Sequence, residues 1–348
     1  MKKTLVAVAA LAAVTGAMAE VTISGMMEIG VSDTKNVTSN VGVKTTTIGD
    51  TNGNNVINIV AKEDLDGGMS ADIQYGFGST GDNGGTYTNY QTFAGLSGGF
   101  GRIQAGSFIS PQFNVNAGGD ATGAWSHSTA WVNQATTKTT RANEFFPANQ
   151  LQYSLPTFVP GLGLSITRKF GETAGSSVGS ADSYSASYAV GAFSTALSLT
   201  RSKFSTTATD VARGWNATYD FGAAKVYFLS TSLKQGSNDT ITGMSYGVSA
   251  PVGAFTFVAQ IASATGTPST FAAASSTVAS AGTFSGTAET TTAASTVDQS
   301  DYTLQGRYSF SKRTTVVAQT ARRSGWNGTA AAAGNTSTIN KIYLQHTF

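Results

Sequence analysis

The chain has 348 residues, 21 Lys and Arg against 19 Asp and Glu, and only 11% charged residues, where an average soluble domain carries roughly 25%. It has no cysteine and two histidines, His127 and His346. That excludes disulfide staples, thiol nucleophiles and thiolate metal sites, and leaves too few imidazoles for most metal or acid/base constellations.

Taken in chain order, the first element is Lys2-Lys3, an apolar run from Leu5 to Val14, and Ala17-Met18-Ala19. This is the pattern of a cleaved secretory signal peptide over residues 1–19, with a mature domain over 20–348. Without residues 1–19, 329 residues remain, and because Lys2 and Lys3 are the only charges lost, 19 basic residues balance 19 acidic ones. Such a balance argues against nucleic acid as a partner. No later stretch is an apolar run of ~18 residues, so no transmembrane helix is expected.

From Val21 onward the period is two. Val21, Ile23, Met27, Ile29 and Val31 share one face, and Thr22, Ser24 and Glu28 the other. The alternation recurs in Met69/Ala71/Ile73/Tyr75/Phe77, Leu162/Leu164/Ile166, Tyr184/Ala186/Tyr188/Val190, Trp215/Ala217/Tyr219 and Tyr302/Leu304/Tyr308/Phe310. Segments of about nine or ten residues suit tilted strands that cross an apolar layer. Short turns are expected near 65–68, 98–101, 156–161, 191–193, 221–224, 250–254 and 310–313. Long polar connections are expected near 33–54, 79–90, 109–147, 171–181, 203–211, 235–240, 264–300 and 324–338. Seven short and eight long connections join sixteen strands. The fold class is therefore all-β: a transmembrane antiparallel β-barrel with short periplasmic turns and long extracellular loops. A soluble sandwich or propeller is the competing architecture, with shorter strands and no such alternation. The Ala/Ser/Thr-rich stretch 264–300 reads as a low-complexity surface loop, with an adhesive element as the alternative.

If the apolar faces meet lipid, parity turns Glu28, Asn58, Lys62, Asp72, Gln74, Arg102, Gln104, Lys169, Lys225 and Arg307 toward the lumen. The Lys225 strand is ambiguous, because Tyr227 and Leu229 are as apolar as Val226 and Phe228.

Three motifs point to chemistry and fail on context. Gly76 to Gly81 matches G-x-G-x-x-G, but Asp82-Asn83-Gly84-Gly85 follows and no helix meets a phosphate. Gly95 to Gly99 and Gly243 to Gly247 match G-x-S-x-G, yet the first lies in a hairpin and the second inside a strand, so neither is a nucleophile elbow. No cofactor and no catalysis are expected. A membrane-embedded lipase remains a minor alternative, and so does a barrel serving as an adhesin.

Several segments resemble the Gram-negative general porins, the sixteen-stranded trimeric outer-membrane type, above all those of betaproteobacteria. These are Glu63-Asp64-Leu65-Asp66-Gly67-Gly68-Met69-Ser70-Ala71, the hairpin Gly95 to Gly101, Asn149 to Phe158, Tyr308-Ser309-Phe310-Ser311-Lys312-Arg313-Thr314, and the end Tyr343-Leu344-Gln345-His346-Thr347-Phe348. The chain departs from that family at Gln104-Ala105-Gly106-Ser107, where relatives commonly read R-L-G-R.

The resemblance implies a homotrimeric porin of the bacterial outer membrane, surrounded by lipid. Its water-filled channel passes ions and small hydrophilic solutes by passive diffusion. It also implies an inward-folded third loop, here 109–147, whose charges Asp120, His127, Lys138, Arg141 and Glu144 set the field at the constriction. Arg141 is similar to the family's constriction arginine, and a weak anion preference follows. Phe348 is implied as the assembly signal read by the barrel-assembly machinery.

Overall fold

The structure is a computed structural model that describes residues 20–38, 41–49, 55–79, 87–123, 146–172, 174–203, 205–236, 240–266, 297–324 and 336–348. The expected leader and most of the stretch 264–300 lie outside them.

The chain rises through β1 (Glu20–Thr38) and descends through β2 (Val41–Gly49) and β3 (Asn55–Leu65). β2 pairs with the upper part of β1, from Thr38↔Val41 to Gly30↔Gly49, and β3 with the lower part, from Met26↔Val56 to Glu20↔Lys62. Seventeen segments thus fill sixteen positions in the wall. The expected loop 33–54 is corrected here, because most of it is ladder. Val37, Val41, Val43, Thr45, Thr46, Thr47 and Ile48 are β-branched and favour extended backbone even where the alternation in polarity is weak.

The wall continues through β4 (Met69–Ser79), β5 (Tyr87–Gly98), β6 (Gly101–Ser107), β7 (Gln150–Ser154), β8 (Leu162–Lys169) and β9 (Ala181–Val190). It is completed by β10 (Phe193–Lys203), β11 (Thr209–Asp220), β12 (Lys225–Gln235), β13 (Thr240–Val252), β14 (Phe255–Gly266), β15 (Val297–Ser309), β16 (Thr314–Ser324) and β17 (Thr336–Thr347). All neighbours are antiparallel. β17 returns to β1 from Val37↔Thr336 to Met26↔Thr347, and Gly25 and Phe348 exchange both backbone hydrogen bonds at 3.0 Å. Closure leaves no unpaired edge, which a chain in hydrocarbon requires.

The period-two pattern sorts the side chains by face. Val21 is 60% exposed and Ile23, Met27 and Ile29 also point outward, whereas Glu28 is 2% exposed and points inward. On β15, Tyr302 and Leu304 point outward and Thr303 and Gln305 inward. Aromatic rings gather beside the short turns: Tyr219 with Phe221 at 4.6 Å, Phe255 with Tyr308 at 4.8 Å and Tyr308 with Phe310 at 5.0 Å. Such a girdle marks the membrane interface. The short turn Asp66–Gly68 uses Gly67 and Gly68 at φ 74° and 75°, a region open to glycine at no steric cost.

The inner wall is not polar throughout. Leu229, Leu233 and Ile241 are buried on it, which resolves the ambiguous β12: Val226 and Phe228 face outward, Tyr227 and Leu229 inward. Leu229 is apolar because a helix covers it through Phe113, while Leu233 and Ile241 pack with Ala212 and Ala264 of the wall.

Candidate functional site

That helix, α1 (Pro111–Gly118), opens the third long connection, where the length of the segment predicts irregular chain. Local chemistry explains it. Ser110 accepts a hydrogen bond from the Phe113 N–H at 3.2 Å as the N-cap, and Pro111 occupies the first turn, where its missing N–H costs nothing. Gly118 and Gly119 close it.

The segment leaves the wall at Phe108 and lies along the inside of the barrel. Its two feet are tied together: Gln150 donates through Nε2 to the Phe108 and Pro147 carbonyls, both at 2.8 Å, and Ser107 Oγ donates to the Phe146 carbonyl at 3.3 Å. The path then crosses successive strands. Ser198 of β10 donates to Gln112 Oε1 at 2.9 Å, Asn216 of β11 donates to the Val115 carbonyl at 2.6 Å, the Ala121 N–H donates to Gln260 of β14 at 2.8 Å, and Arg307 of β15 donates to the Thr122 carbonyl at 2.7 Å. Beneath the helix, Phe113 packs on Leu229 and Ala262. Close approach needs small residues: a Cβ on Gly119 would sit 2.7 Å from the Phe228 carbonyl, and one on Gly214 would collide with Gln112. The barrel is therefore narrowed from one side by a strip of chain fixed at several points.

The parity-derived positions fall into distinct groups. Asp72 and Arg102 form an ion pair, with Arg102 Nη1 and Nη2 at 2.5 Å and 2.8 Å from the two carboxylate oxygens. Arg102 also donates through Nε to Gln104 at 3.0 Å and through Nη1 to Ser97 at 3.1 Å, and lies over the Phe93 ring. A bidentate pair of this kind offsets the arginine's charge. Gln74 donates to Asn58 at 3.1 Å, and Lys62 stands 3.6 Å from Asp64 at the short-turn end. Lys225, at the same end, lies over the Tyr227 ring. Glu28 is buried in the wall and Lys169 stands at the long-loop end of β8. Arg307 does not stand opposite the loop; it holds it.

Of the loop charges, Asp120 is described: it is 2% exposed and accepts from the Thr122 N–H at 2.8 Å and the Thr122 hydroxyl at 2.6 Å. His127, Lys138, Arg141 and Glu144 lie outside the described residues. Sequence parity missed Arg323, Asp301 and Lys341, which the register turns inward on β16, β15 and β17. Alternation in those strands gives the signal, at Gln319 and Tyr343. Gln112, Asn216 and Gln260 had no sequence signal, since their importance comes from a loop docking on them.

Among the described residues, the serines of the two G-x-S-x-G matches do not meet a histidine, and His127 lies outside those residues. Ser97 and Ser245 point inward, whereas His346 lies on the outer face with Nδ1 2.9 Å from Thr314 Oγ1. Among the described residues no three His, Cys, Asp or Glu side chains come together as a metal site, and no helix is long and apolar enough to cross a membrane.

Comparison with known proteins agrees with the barrel. A family profile described as Gram-negative porin matches residues 7–327. The major outer membrane protein P.IB of Neisseria gonorrhoeae is 38% identical over 124 residues, which is 34% of this chain and 35% of that protein, so the match spans about a third of the relative's length. Among solved structures, the anion-selective porin from Comamonas acidovorans superposes with a TM-score of 0.73 at 19% identity, covering 95% of this chain and 100% of that one. The in-vitro folded OmpT of Vibrio cholerae, in its trimer form, does so with a TM-score of 0.68 at 12% identity, covering 95% and 100%. A closed sixteen-stranded wall, an internally docked third loop and a profile match over most of the sequence make this chain a member of the Gram-negative porin family, a protein of the outer membrane.

Proposed function

We propose that the barrel is a water-filled channel through which ions and small hydrophilic solutes diffuse passively, with no catalytic step. The observation that carries the reading is the segment Phe108–Gly123, held against the inner wall by Ser198, Asn216, Gln260 and Arg307. A loop so fixed narrows the lumen from one side. A confined aqueous passage sets selectivity by width and by the charges at its narrowest level, because charges beyond about 8 Å are screened at physiological ionic strength.

A weak anion preference belongs to this proposal. Arg102 is offset by Asp72, and Lys62 and Lys225 stand toward the short-turn end, so they contribute little at the constriction. Arg141, with Lys138 against Asp120 and Glu144, would then decide the sign. The name of the Comamonas neighbour, an anion-selective porin, favours the same sign. Export by a leader over 1–19, a homotrimer, like the trimer form of the Vibrio neighbour, and recognition of Phe348 by the assembly machinery complete the proposal. Conductance of the purified chain in a planar bilayer tests it. Stable ohmic steps, with a small reversal potential of anionic sign in a salt gradient, are expected. A folded protein that inserts and carries no current would overturn it.

A further inference from the structure

The outer face carries one concentration of charge that the channel does not use. Arg168 on β8, Arg201 and Lys203 on β10, Arg213 on β11 and Lys234 on β12 alternate with Thr167, Thr200, Ser202, Ala212 and Leu233, all buried on the inner side. The five basic side chains therefore point away from the lumen. Register brings them together: Arg168 lies opposite Asp182 of β9, Asp182 opposite Arg201, Arg201 opposite Val211, and Val211 opposite Lys234, while Arg213 lies opposite Leu199 and Ser232. On the outer face of these strands at this end, the acidic side chain is Asp182, 2.6 Å from Arg168.

The patch stands at the upper edge of the apolar face. Below it on the same strands, Ile166, Tyr184, Leu197 and Trp215 point outward and are exposed. Eight residues separate Phe193 from Arg201 and Val226 from Lys234. At a rise of ~3.3 Å per residue and a tilt of ~40°, the two cations stand about 20 Å above the short-turn girdle. Long basic side chains at that depth extend toward the headgroup layer. The neighbouring pair β13 and β14 bears Thr242, Ser263 and Thr265 at the corresponding end of its outer face, and the rim elsewhere carries fewer cations: Lys35 and Lys44 beside Asp33 on β1 and β2, and Arg322 on β16.

We propose that this patch binds the phosphate of an anionic lipid headgroup at the long-loop end of the barrel. The same molecule lays its acyl chains on Leu197 and Trp215, which fixes the headgroup at Arg201 and its neighbours. Guanidinium groups match phosphate oxygens in pairs, and near a membrane each basic residue strengthens such an attraction. The inference rests on the barrel standing in a membrane and not on the channel reading. Conductance in a planar bilayer therefore separates the two.

The test titrates the full chain in neutral detergent micelles with phosphatidic acid, and with phosphatidylcholine of the same acyl chains, and counts bound lipid by native mass spectrometry. The wild-type chain should retain phosphatidic acid in preference. Replacing Arg201, Lys203, Arg213 and Lys234 together with Gln should weaken that binding by about a hundredfold or more, at roughly fivefold for each cation removed. The control pair Lys35→Gln and Lys44→Gln, on the outer face of β1 and β2, should leave it unchanged, and neither variant should alter conductance. Equal retention of the two lipids, undiminished binding by the fourfold variant, the same loss in the control pair, or displacement by equimolar inorganic phosphate would each overturn the proposal. If the fourfold variant does not fold, as judged by heat-modifiable mobility, Arg201→Gln and Lys234→Gln decide singly. A loss of about fivefold in each supports the site, and no loss in either refutes it.

Discussion

Arg307 donates one guanidinium nitrogen to the Thr122 carbonyl of the inward loop and another to Gln305 at 2.6 Å, while Gln305 reaches Gln319 at 3.0 Å. A pore-wall cation thus acts mainly as a clamp, since a fixed backbone acceptor uses the charge locally. Arg307→Gln should leave the barrel folded and free the far end of the docked strip. Single-channel recordings should then show larger or noisier current steps, and traces identical to wild type would show that the remaining anchors suffice. Arg141 belongs to the other group of charges, those proposed to face the permeating ion. Arg141→Glu should move the reversal potential toward cations, more in dilute salt than in concentrated salt, because screening shortens the reach of the field. No shift in a folded channel would remove this arginine from the constriction. Parity alone could not separate these two roles. Arg102 and Arg307 occupy equivalent lumen-facing positions in the sequence pattern, yet the first is offset by Asp72 and the second holds the loop.

At the scale of elements, the third long connection shows how a loop becomes part of a wall. Its helix is only eight residues long, too short to persist alone in water. It forms because Ser110 and Pro111 start it and because Phe113 finds Leu229 and Ala262 beneath. Residues 118–140 begin at the end of that helix and include the contacts to Gln260 and Arg307. Their removal should enlarge single-channel conductance while leaving the helix feet at Gln150 and the barrel intact. Unchanged conductance in a correctly folded deletion would mean that another element sets the width. β2 and β3 show the reverse case. The polar stretch 33–54 reads as a loop, yet β-branched residues and pairing along β1 make most of it wall.

For the whole molecule, stability depends on closure and on a continuous lipid-facing surface. Leu197 is exposed on β10 in the middle of that surface. Leu197→Arg should cost about 2–4 kcal/mol, the penalty for a cation near the bilayer midplane, measured by denaturant unfolding of the barrel in lipid vesicles. A loss below about 0.5 kcal/mol would contradict the placement of that face in lipid. The seam between β1 and β17 ends at Gly25 and Phe348. There the missing Cβ of the glycine leaves room for the aromatic ring, which would stand 2.6 Å from it, and two backbone bonds complete the ladder. Deleting Phe348 removes both bonds and the ring. The level of folded barrel in the outer membrane should fall, and wild-type levels would show that closure does not need the terminal residue.

Alternation pointed to the all-β class, the sixteen-position wall, the ends of the short turns and, on strands with one polar face, which side meets lipid. All of these follow from the two-residue repeat of a strand that separates lipid from water. That the final strand pairs with the first follows as well, because a barrel in hydrocarbon must close, whereas the register from Val37 to Met26 is a property of the tertiary structure. Tertiary structure decided the rest. That Leu229 faces inward, that Gln112, Asn216 and Gln260 matter, and that Arg307 is a clamp depend on a segment more than eighty residues distant in sequence from Ser198 and Asn216 folding into the lumen. The basic patch on β8–β12 likewise exists only through register, since Arg168, Arg201 and Lys234 fall in one row when five strands align side by side. A period-two code specifies which face a residue occupies, whereas the partners it meets there are set by closure of the barrel and docking of the loop.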